Sequence, residues 1–242
     1  MTNINSKPAL HLIPAQLGTA PTNLWLPSDV QNIAANIKYY IAENAKTARL
    51  FLKQINTTHA IRDINIKTIE KNSTKEELVK WLEPYNSGHS IGLVSEAGCP
   101  AIADPGANIV EIAHSMGITV MPHTGPSSII LGLMASGLNG QSFAFHGYAP
   151  VDTSARERQI KLWENISRKQ NQTQIAIETP YRNDAFMDSL IKTLNPATKL
   201  SIALGLHTPK QLIQTLTVDQ WRKRGKPTPM HKIPCLFLFL AN

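Results

Sequence analysis

From Leu10 to Ser136 short apolar runs alternate with segments of helical period, and that rhythm constrains the fold more than any other feature of the chain. Leu10 to Pro14 reads as a first strand, closed by a turn rich in Pro and Gly. Pro27-Ser28-Asp29 opens a helix that carries Val30, Ile33 and Ile37, and Tyr39 to Ile41 is a compact β-prone cluster. Periodicity does not decide here between one long helix and a helix followed by a strand. Asn44 to Gln54 reads as helix, with Ala48, Phe51, Leu52 and Ile55 on one stripe, and Ile64, Ile66 and Thr68 alternate as a strand. In Ser73-Thr74-Lys75-Glu76 the spacing is that of a capping box, Ser73 and Glu76 satisfying each other's free backbone donors, and Leu78, Val79 and Leu82 continue the helix. Ile91 to Ser95 is a buried strand, Asn108 to Met116 a helix stopped by Gly117, Ile118 to Met121 a strand, and Ser127 to Ser136 a helix ended by Gly137. Such alternation favours a mostly parallel sheet covered by helices on both faces.

Beyond Leu138 the pattern continues with Ser142 to His146, then a helix from Ser154. Strands follow at Gln174 to Glu178, Lys199 to Leu204, Gln211 to Leu216 and Cys235 to Leu240. Only a short helix fits between the last two, so antiparallel pairings are expected. The resulting fold class is α/β with two domains, 1–123 around a mostly parallel sheet and 124–242 around a mixed one, dividing near His123 to Pro126. A chain of 242 residues with 42% apolar content can fill two cores, and 17% charged residues without any low-complexity tract argue against extended disorder. Met1 to Pro8 reads as a loose polar tail. No apolar run approaches the length of a bilayer span, and the N-terminus lacks the order of a secretory signal, so cytoplasmic residence and no membrane partner are expected. Cys99 and Cys235 match no zinc or redox spacing, and neither a metal site nor a disulfide framework is expected.

The net charge of +7 makes a polyanionic partner plausible. Arg156, Arg158, Lys161, Arg168 and Lys169 crowd one segment, diluted by Glu157 and Glu164; Arg222, Lys223, Arg224, Lys226 and Lys232 crowd another. For the first, nucleic-acid contact and a solvated helix face are both open readings; the second, denser cluster also reads as a plain loop.

Three segments carry chemistry by position. Ile13-Pro14-Ala15-Gln16-Leu17-Gly18 follows the first strand, at the edge where open α/β sheets bind ligands, although an ordinary turn reads the same way. Ser95-Glu96-Ala97-Gly98-Cys99-Pro100, continuing to Asp104-Pro105-Gly106, sets two glycine-containing turns between a strand and the next helix, longer than a minimal crossover needs. It has neither a Gly-Lys-Ser/Thr triplet nor a GxGxxG, which disfavours phosphate cradling and a dinucleotide dehydrogenase and favours a ligand held by backbone groups. His123-Thr124-Gly125-Pro126-Ser127-Ser128 again joins a strand to a helix, where Ser127 or Ser128 suits the N-cap.

These motifs together resemble the tetrapyrrole methylase superfamily, and within it the branch of ribosomal RNA small subunit methyltransferase I. The branch pattern LVSDAGTPxISDPG meets LVSEAGCPAIADPG here, PxPGPSAxxxALxxSGL meets MPHTGPSSIILGLMASGL, FxFxGFxP meets FAFHGYAP, and ESPHR meets Glu178-Thr179-Pro180-Tyr181-Arg182. The resemblance implies two α/β domains with a cofactor cleft between them, usually in a homodimer, and S-adenosylmethionine held folded by main-chain groups. It places Pro14 and Gly18, then Ser95, Gly98, Cys99, Pro100 and Ile102 near the cofactor, the last four against its methionine half. Ser127 and Ser128 fall on the interdomain side. Phe145, Gly147, the loop after Leu204, and Pro234 with Cys235 are expected to enclose the adenine. The implied acceptor is a cytidine ribose in small-subunit rRNA, methylated at its 2′ oxygen, which makes the small ribosomal subunit the expected partner.

The chain departs from the branch in several places. PTPIGNLxDIT is replaced by Pro14-Ala15-Gln16-Leu17-Gly18-Thr19, AEDTR by Ala42-Glu43-Asn44-Ala45-Lys46, and ELTK by Ala203-Leu204-Gly205-Leu206-His207. Backbone-held cofactor binding tolerates such changes, whereas acceptor recognition need not. Methylation of a tetrapyrrole or other small molecule, and cofactor binding without catalysis, are therefore the alternatives. Glu178, Glu96, Asp104 and His123 are the ionisable residues of the motif loops, each as well suited to orienting a loop as to proton transfer, and no single catalytic residue stands out.

Overall fold

The computed structural model describes residues 7–227 and 229–242, so most of the expected N-terminal tail lies outside the described residues. Contacts divide the chain into two compact units, Met1–Ser127 and Ser128–Asn242.

In the first unit β1 (Leu10–Ile13), β2 (Tyr39–Ala42), β3 (Asn65–Thr68), β4 (Ile91–Val94) and β5 (Val120–Pro122) form one sheet in the order β3-β2-β4-β1-β5. Every pairing in it is parallel, with Ile13 opposite Val94 and Ala42 opposite both Val94 and Thr68, so the strands end along one edge. The crossovers are α1 (Ser28–Ala35), α2 (Ala45–Gln54), α3 (Lys75–Leu82) and α4 (Ala107–Ser115). Alternation along β1 decides the two cores. Ile13 packs with Val30 of α1 and Phe51 of α2, whereas Leu10 packs with Leu78 of α3 and Ile109 of α4. All four residues of β4 are buried, as expected for a strand covered on both faces. The capping box of α3 sits one residue later than the sequence spacing suggested. Thr74 and Glu77 form it, because the helix begins at Lys75 and the Ser73 hydroxyl instead accepts the Glu70 N–H. Asn44 caps α2 through the Lys46 and Thr47 N–H groups.

The second unit holds α5 (Ser128–Ser136), β6 (Phe143–Tyr148), α6 (Thr153–Gln170), β7 (Thr173–Ile177), α7 (Asn183–Thr193), β8 (Lys199–Leu204), β9 (Leu212–Thr217), α8 (Val218–Arg224) and β10 (Cys235–Leu240). The sheet order is β6-β7-β10-β8-β9, with β6 and β7 parallel and the other pairs antiparallel. The expected mixed sheet is present. Ile160, Phe186 and Trp221 from α6, α7 and α8 fill one face with Phe237, and α5 covers the other through Ile129 and Leu133 against Leu236 and Leu238. Helix α7 had no counterpart in the sequence reading. Its Phe186, Met187 and Leu190 are buried, yet Arg182 at its start makes no side-chain cap, so the start signal is missing.

Candidate functional site

The three segments singled out from the sequence meet at the carboxyl edge of the first sheet. Because β1 and β4 are neighbours in register, the chain leaving β1 runs beside the chain leaving β4. Ala15 and Gly98 then exchange both backbone hydrogen bonds, 2.8 and 3.1 Å long, as an isolated antiparallel bridge. Gly98 has φ +75°, and a Cβ built on it would lie 3.3 Å from Leu17 Cδ2 and 3.6 Å from the Pro126 oxygen. The Cys99 thiol donates to the same Pro126 carbonyl at 3.4 Å. Gly125 is closer still, since a Cβ there would come within 2.2 Å of Pro14 Cβ. Residues 14–18, 95–106 and 123–127 therefore form one continuous wall.

The middle segment is strained. Ala101 and Ala103 adopt φ of +67° and +62°, a region that costs an L-residue roughly 1–2 kcal/mol. Between them Ile102 is 52% exposed, although it is a large apolar side chain. Strain of this kind persists where surrounding structure enforces it, and it clusters at ligand sites. A small hollow beside it is lined by Glu43, Ser95, Pro100, Ala101, Asp104 and Gly106.

The electrostatics are lopsided. Burial, together with the nearby Glu43 and Glu96 carboxylates, pushes Asp104 up to about 6, while a hydrogen bond from the Ser95 side chain pulls the other way. Glu43 is raised by burial and, more weakly, by Glu96, against a backbone hydrogen bond from Glu96. None of the three makes an ion pair among the described residues. A site of small residues, backbone groups and unpaired carboxyls suits a ligand that carries positive charge.

Just past β5, His123 Nε2 lies 2.9 Å from Nδ1 of His11 in β1, the rings stacked 5.1 Å apart. Burial, followed by the neighbouring His123, lowers His11 to about 4, and burial lowers His123 as well. Both shifts favour the neutral rings, and the direction of the hydrogen bond between them depends on the tautomer.

In the second unit the expected residues collect at one edge of the sheet. Tyr148 pairs with Ile177, Ile177 with Leu236, and Cys235 with Leu204, so β6, β7 and β8 end where β10 begins. Gly147 has φ +68° at the register break between Phe145 and Tyr148, and the Gly205 N–H donates to Pro234 O at 2.8 Å. Leu204 and Cys235 are buried in the core on the helix α6 side, whereas Phe145 packs against the α5 cluster. Leu204 and Cys235 thus offer backbone only, and burial pushes the Cys235 thiol far up.

Within the first unit the structure brings Pro14, Ser95, Gly98, Cys99, Pro100 and Ser127 to one wall, with Gly18 in the bend following Leu17 and Ile102 at its exposed turn. Ser128 begins α5 in the second unit, whose edge carries Phe145, Gly147, Leu204, Pro234 and Cys235. Sequence reasoning missed Leu17, Gly125 and Pro126 as contacts, and the left-handed alanines altogether. The resemblance flagged Gly125-Pro126 as motif, but nothing in an alanine signals positive φ. Of the ionisable candidates, Glu178 is tied to Arg182 and the Thr179 N–H, His123 to His11, and Glu96 to the Thr47 hydroxyl.

Half of the two basic clusters is used internally. Arg156 is buried and donates to Ser189, Val151 and Thr153, and Arg168 donates to Asn242 O. Arg222 donates to the Ile191 and Leu194 carbonyls at the end of α7, Lys223 pairs with Asp219 at 2.7 Å, and Lys226 pairs with Asp184 and Asp188. These contacts assign the denser cluster largely to architecture.

A cavity of about 350 Å³, larger than the hollow beside Asp104, lies at the opposite, amino-terminal edge of the first sheet, lined by Tyr39, Lys67, Lys80, Trp81 and His89 among others. It contains no motif residue, and the convergence of three loops locates the candidate site better than volume does. Among the described residues no cluster of three or more His, Cys, Asp or Glu is placed to hold a metal, and no helix is long and apolar enough to cross a membrane.

No protein-family model matches the chain. It is 28% identical over 234 residues to the ribosomal RNA small subunit methyltransferase I of Vibrio cholerae, covering 92% of this chain and 76% of that protein. The Mesorhizobium japonicum protein of the same name is 28% identical over 212 residues, covering 88% of this chain and 68% of its own length. Among solved structures, the methyltransferase CobJ superposes with a TM-score of 0.62 at 14% identity, over 97% of this chain and 94% of that one. The uroporphyrin-III-C-methyltransferase of Thermus thermophilus gives 0.56 at 14% identity, over 96% and 93%. At such identities the structural likeness speaks to the fold.

Proposed function

We propose that this chain is a methyltransferase of the tetrapyrrole methylase superfamily, near the ribosomal RNA small subunit methyltransferase I branch, and that it carries a methyl group from S-adenosylmethionine to the 2′ oxygen of a cytidine in small-subunit rRNA. The observation that carries the reading is the wall of residues 14–18, 95–106 and 123–127, with its left-handed backbone and unpaired carboxyls. It fits the cofactor on two counts. A side chain on Gly98 or Gly125 would fill space between the loops, and the negative field of Glu43, Glu96 and Asp104 complements a sulfonium with an α-ammonium.

In this reading Gly98, Cys99, Pro100 and Ile102 hold the methionine half of the cofactor, with Pro14, Gly18, Ser95, Ser127 and Ser128 among the further binding residues. Phe145, Gly147, the loop after Leu204, and Pro234 with Cys235 enclose the adenine. Bound S-adenosylmethionine supplies an electrophilic methyl group, which leaves alignment as the protein's main task; well-oriented reactants can save about 7–11 kcal/mol of barrier. Ile102 excludes water at the exposed turn. Asp104, ionised for the most part at pH 7, neutralises charge on the bound cation. The Ser95 hydroxyl and the Ala15–Gly98 bridge keep the loop rigid.

The RNA acceptor rests on the named relatives and on the positive net charge. The test is methyl transfer from radiolabelled S-adenosylmethionine to isolated small ribosomal subunits, followed by nucleoside analysis. The reading expects 2′-O-methylcytidine as the labelled product. Label on a tetrapyrrole acceptor in place of RNA, or on neither, contradicts it. Cytoplasmic residence and a homodimeric state belong to the same reading, and sedimentation of the purified chain tests the second.

A further inference from the structure

Two tyrosines stand in water at the edge where β6 and β7 end. Tyr181 is 68% exposed and Tyr148 is 56% exposed, although each ring carries enough apolar surface to favour burial. They share one edge because Tyr148 pairs with Ile177, four residues before Tyr181.

The backbone under Tyr181 is held firmly. The Glu178 carboxylate, which is buried, accepts from the Thr179 N–H at 2.7 Å and from the Arg182 guanidinium. The Lys232 N–H donates to Pro180 O at 3.1 Å, and His231 meets the Tyr181 ring edge-on at 5.3 Å. The ring is thus positioned from two chain segments while most of its surface stays exposed.

Charge around the edge is one-sided. Lys232 and Lys210 are exposed and make no ion pair among the described residues, and the Gly205–Pro234 hydrogen bond ties the Lys210 loop to the same edge. Of the acids nearby, Glu178 is paired with Arg182 and Asp184 and Asp188 with Lys226, while Asp152, four residues beyond Tyr148, caps α6 through the Ala155 N–H.

Exposed aromatic rings flanked by cations match single-stranded RNA, whose unstacked bases lie on rings while its phosphates meet lysines. A duplex keeps its base faces stacked and offers nothing to the rings. We propose that Tyr181 and Tyr148, with Lys232 and Lys210, form a stacking platform for the unpaired nucleotides of a single-stranded RNA. The inference deepens the proposed rRNA reading and rests on it for the identity of the RNA.

The probe is a fluorescein-labelled, cytidine-rich single-stranded oligoribonucleotide, with the same sequence as duplex for comparison. Tyr181→Ala should weaken single-strand binding by roughly tenfold, as loss of one base–aromatic stack does. Tyr181→Trp should restore it to within about twofold of the parent chain, because stacking needs a π-face and not the phenol hydroxyl. Thermal stability and S-adenosylhomocysteine affinity should stay unchanged in both variants, since the ring is exposed. An alanine variant that binds as the parent does, a tryptophan variant as weak as alanine, or a parent chain that does not bind the single strand overturns the platform. Methyl transfer to small subunits is measured alongside. Ring-dependent oligonucleotide binding without such transfer would refute the rRNA reading and leave the platform standing, whereas transfer with ring-independent binding would do the reverse.

Discussion

The turn at residues 95–106 and the basic segment at residues 218–226 use their charges in opposite ways. In the first, Glu96 and Asp104 crowd Glu43 from the end of β2 without a cation, and the backbone passes twice through left-handed alanines. In the second, Arg222 closes the end of α7, and Lys223 and Lys226 are paired with aspartates. A stretch conspicuous for charge is thus satisfied within its own fold, while a stretch of modest composition holds its charge and strain in reserve. Unsatisfied groups, more than abundant ones, mark where a ligand belongs.

The contrast breaks most readily at Gly125. Gly125→Ala drives a methyl into Pro14, so the two loops must separate. Overpacking of this kind should cost about 1–3 kcal/mol in urea denaturation and abolish measurable S-adenosylhomocysteine binding in calorimetry. A variant that binds normally would show that the wall does not shape the ligand. Gly98→Ala is the milder version, since the nearest atom is the flexible end of Leu17. With φ fixed near +75°, it should lose roughly 1–2 kcal/mol of stability and weaken cofactor affinity by about tenfold.

Asp104 sharpens the electrostatic half of the comparison. Its carboxyl rises from 3.8 to about 6, chiefly by burial. Between those values the folded chain holds a proton that the unfolded chain has released, so stability falls as pH rises from about 4 to 6. Asp104→Asn should flatten that fall, seen as denaturation midpoints that differ from the parent's by a pH-dependent amount. For a cationic ligand the sign reverses, and S-adenosylmethionine affinity should climb through pH 6 in the parent and stay level in the variant. The smallest effect on binding is expected in the basic segment. Arg222→Glu should lower stability by about 1 kcal/mol, because it uncaps α7, and shift affinity for the single-stranded oligonucleotide by less than about twofold. A large loss of RNA binding with unchanged stability would return that segment to function.

Much of this organisation was legible in the chain itself, for identifiable reasons. The parallel sheet followed from alternating strand and helix, and the chemical loops from glycine and proline placed just after buried strands. The α3 cap was misread by one residue because Ser73/Glu76 and Thr74/Glu77 offer the same spacing, and only the helix start chooses between them. Helix α7 escaped because Arg182, busy with Glu178, provides no cap. The role of Arg222 was hidden for another reason, since its partners at Ile191 and Leu194 lie some thirty residues away. Left-handed alanines have no sequence signature at all.

Hydrogen exchange on the chain with and without S-adenosylhomocysteine tests the cradle most directly. Amides of residues 95–106 and 123–127 should slow on binding, while those of residues 218–224 keep their rates. Tight binding that protects some other region of the first unit, such as the cavity around Lys67 and Trp81, would contradict the account.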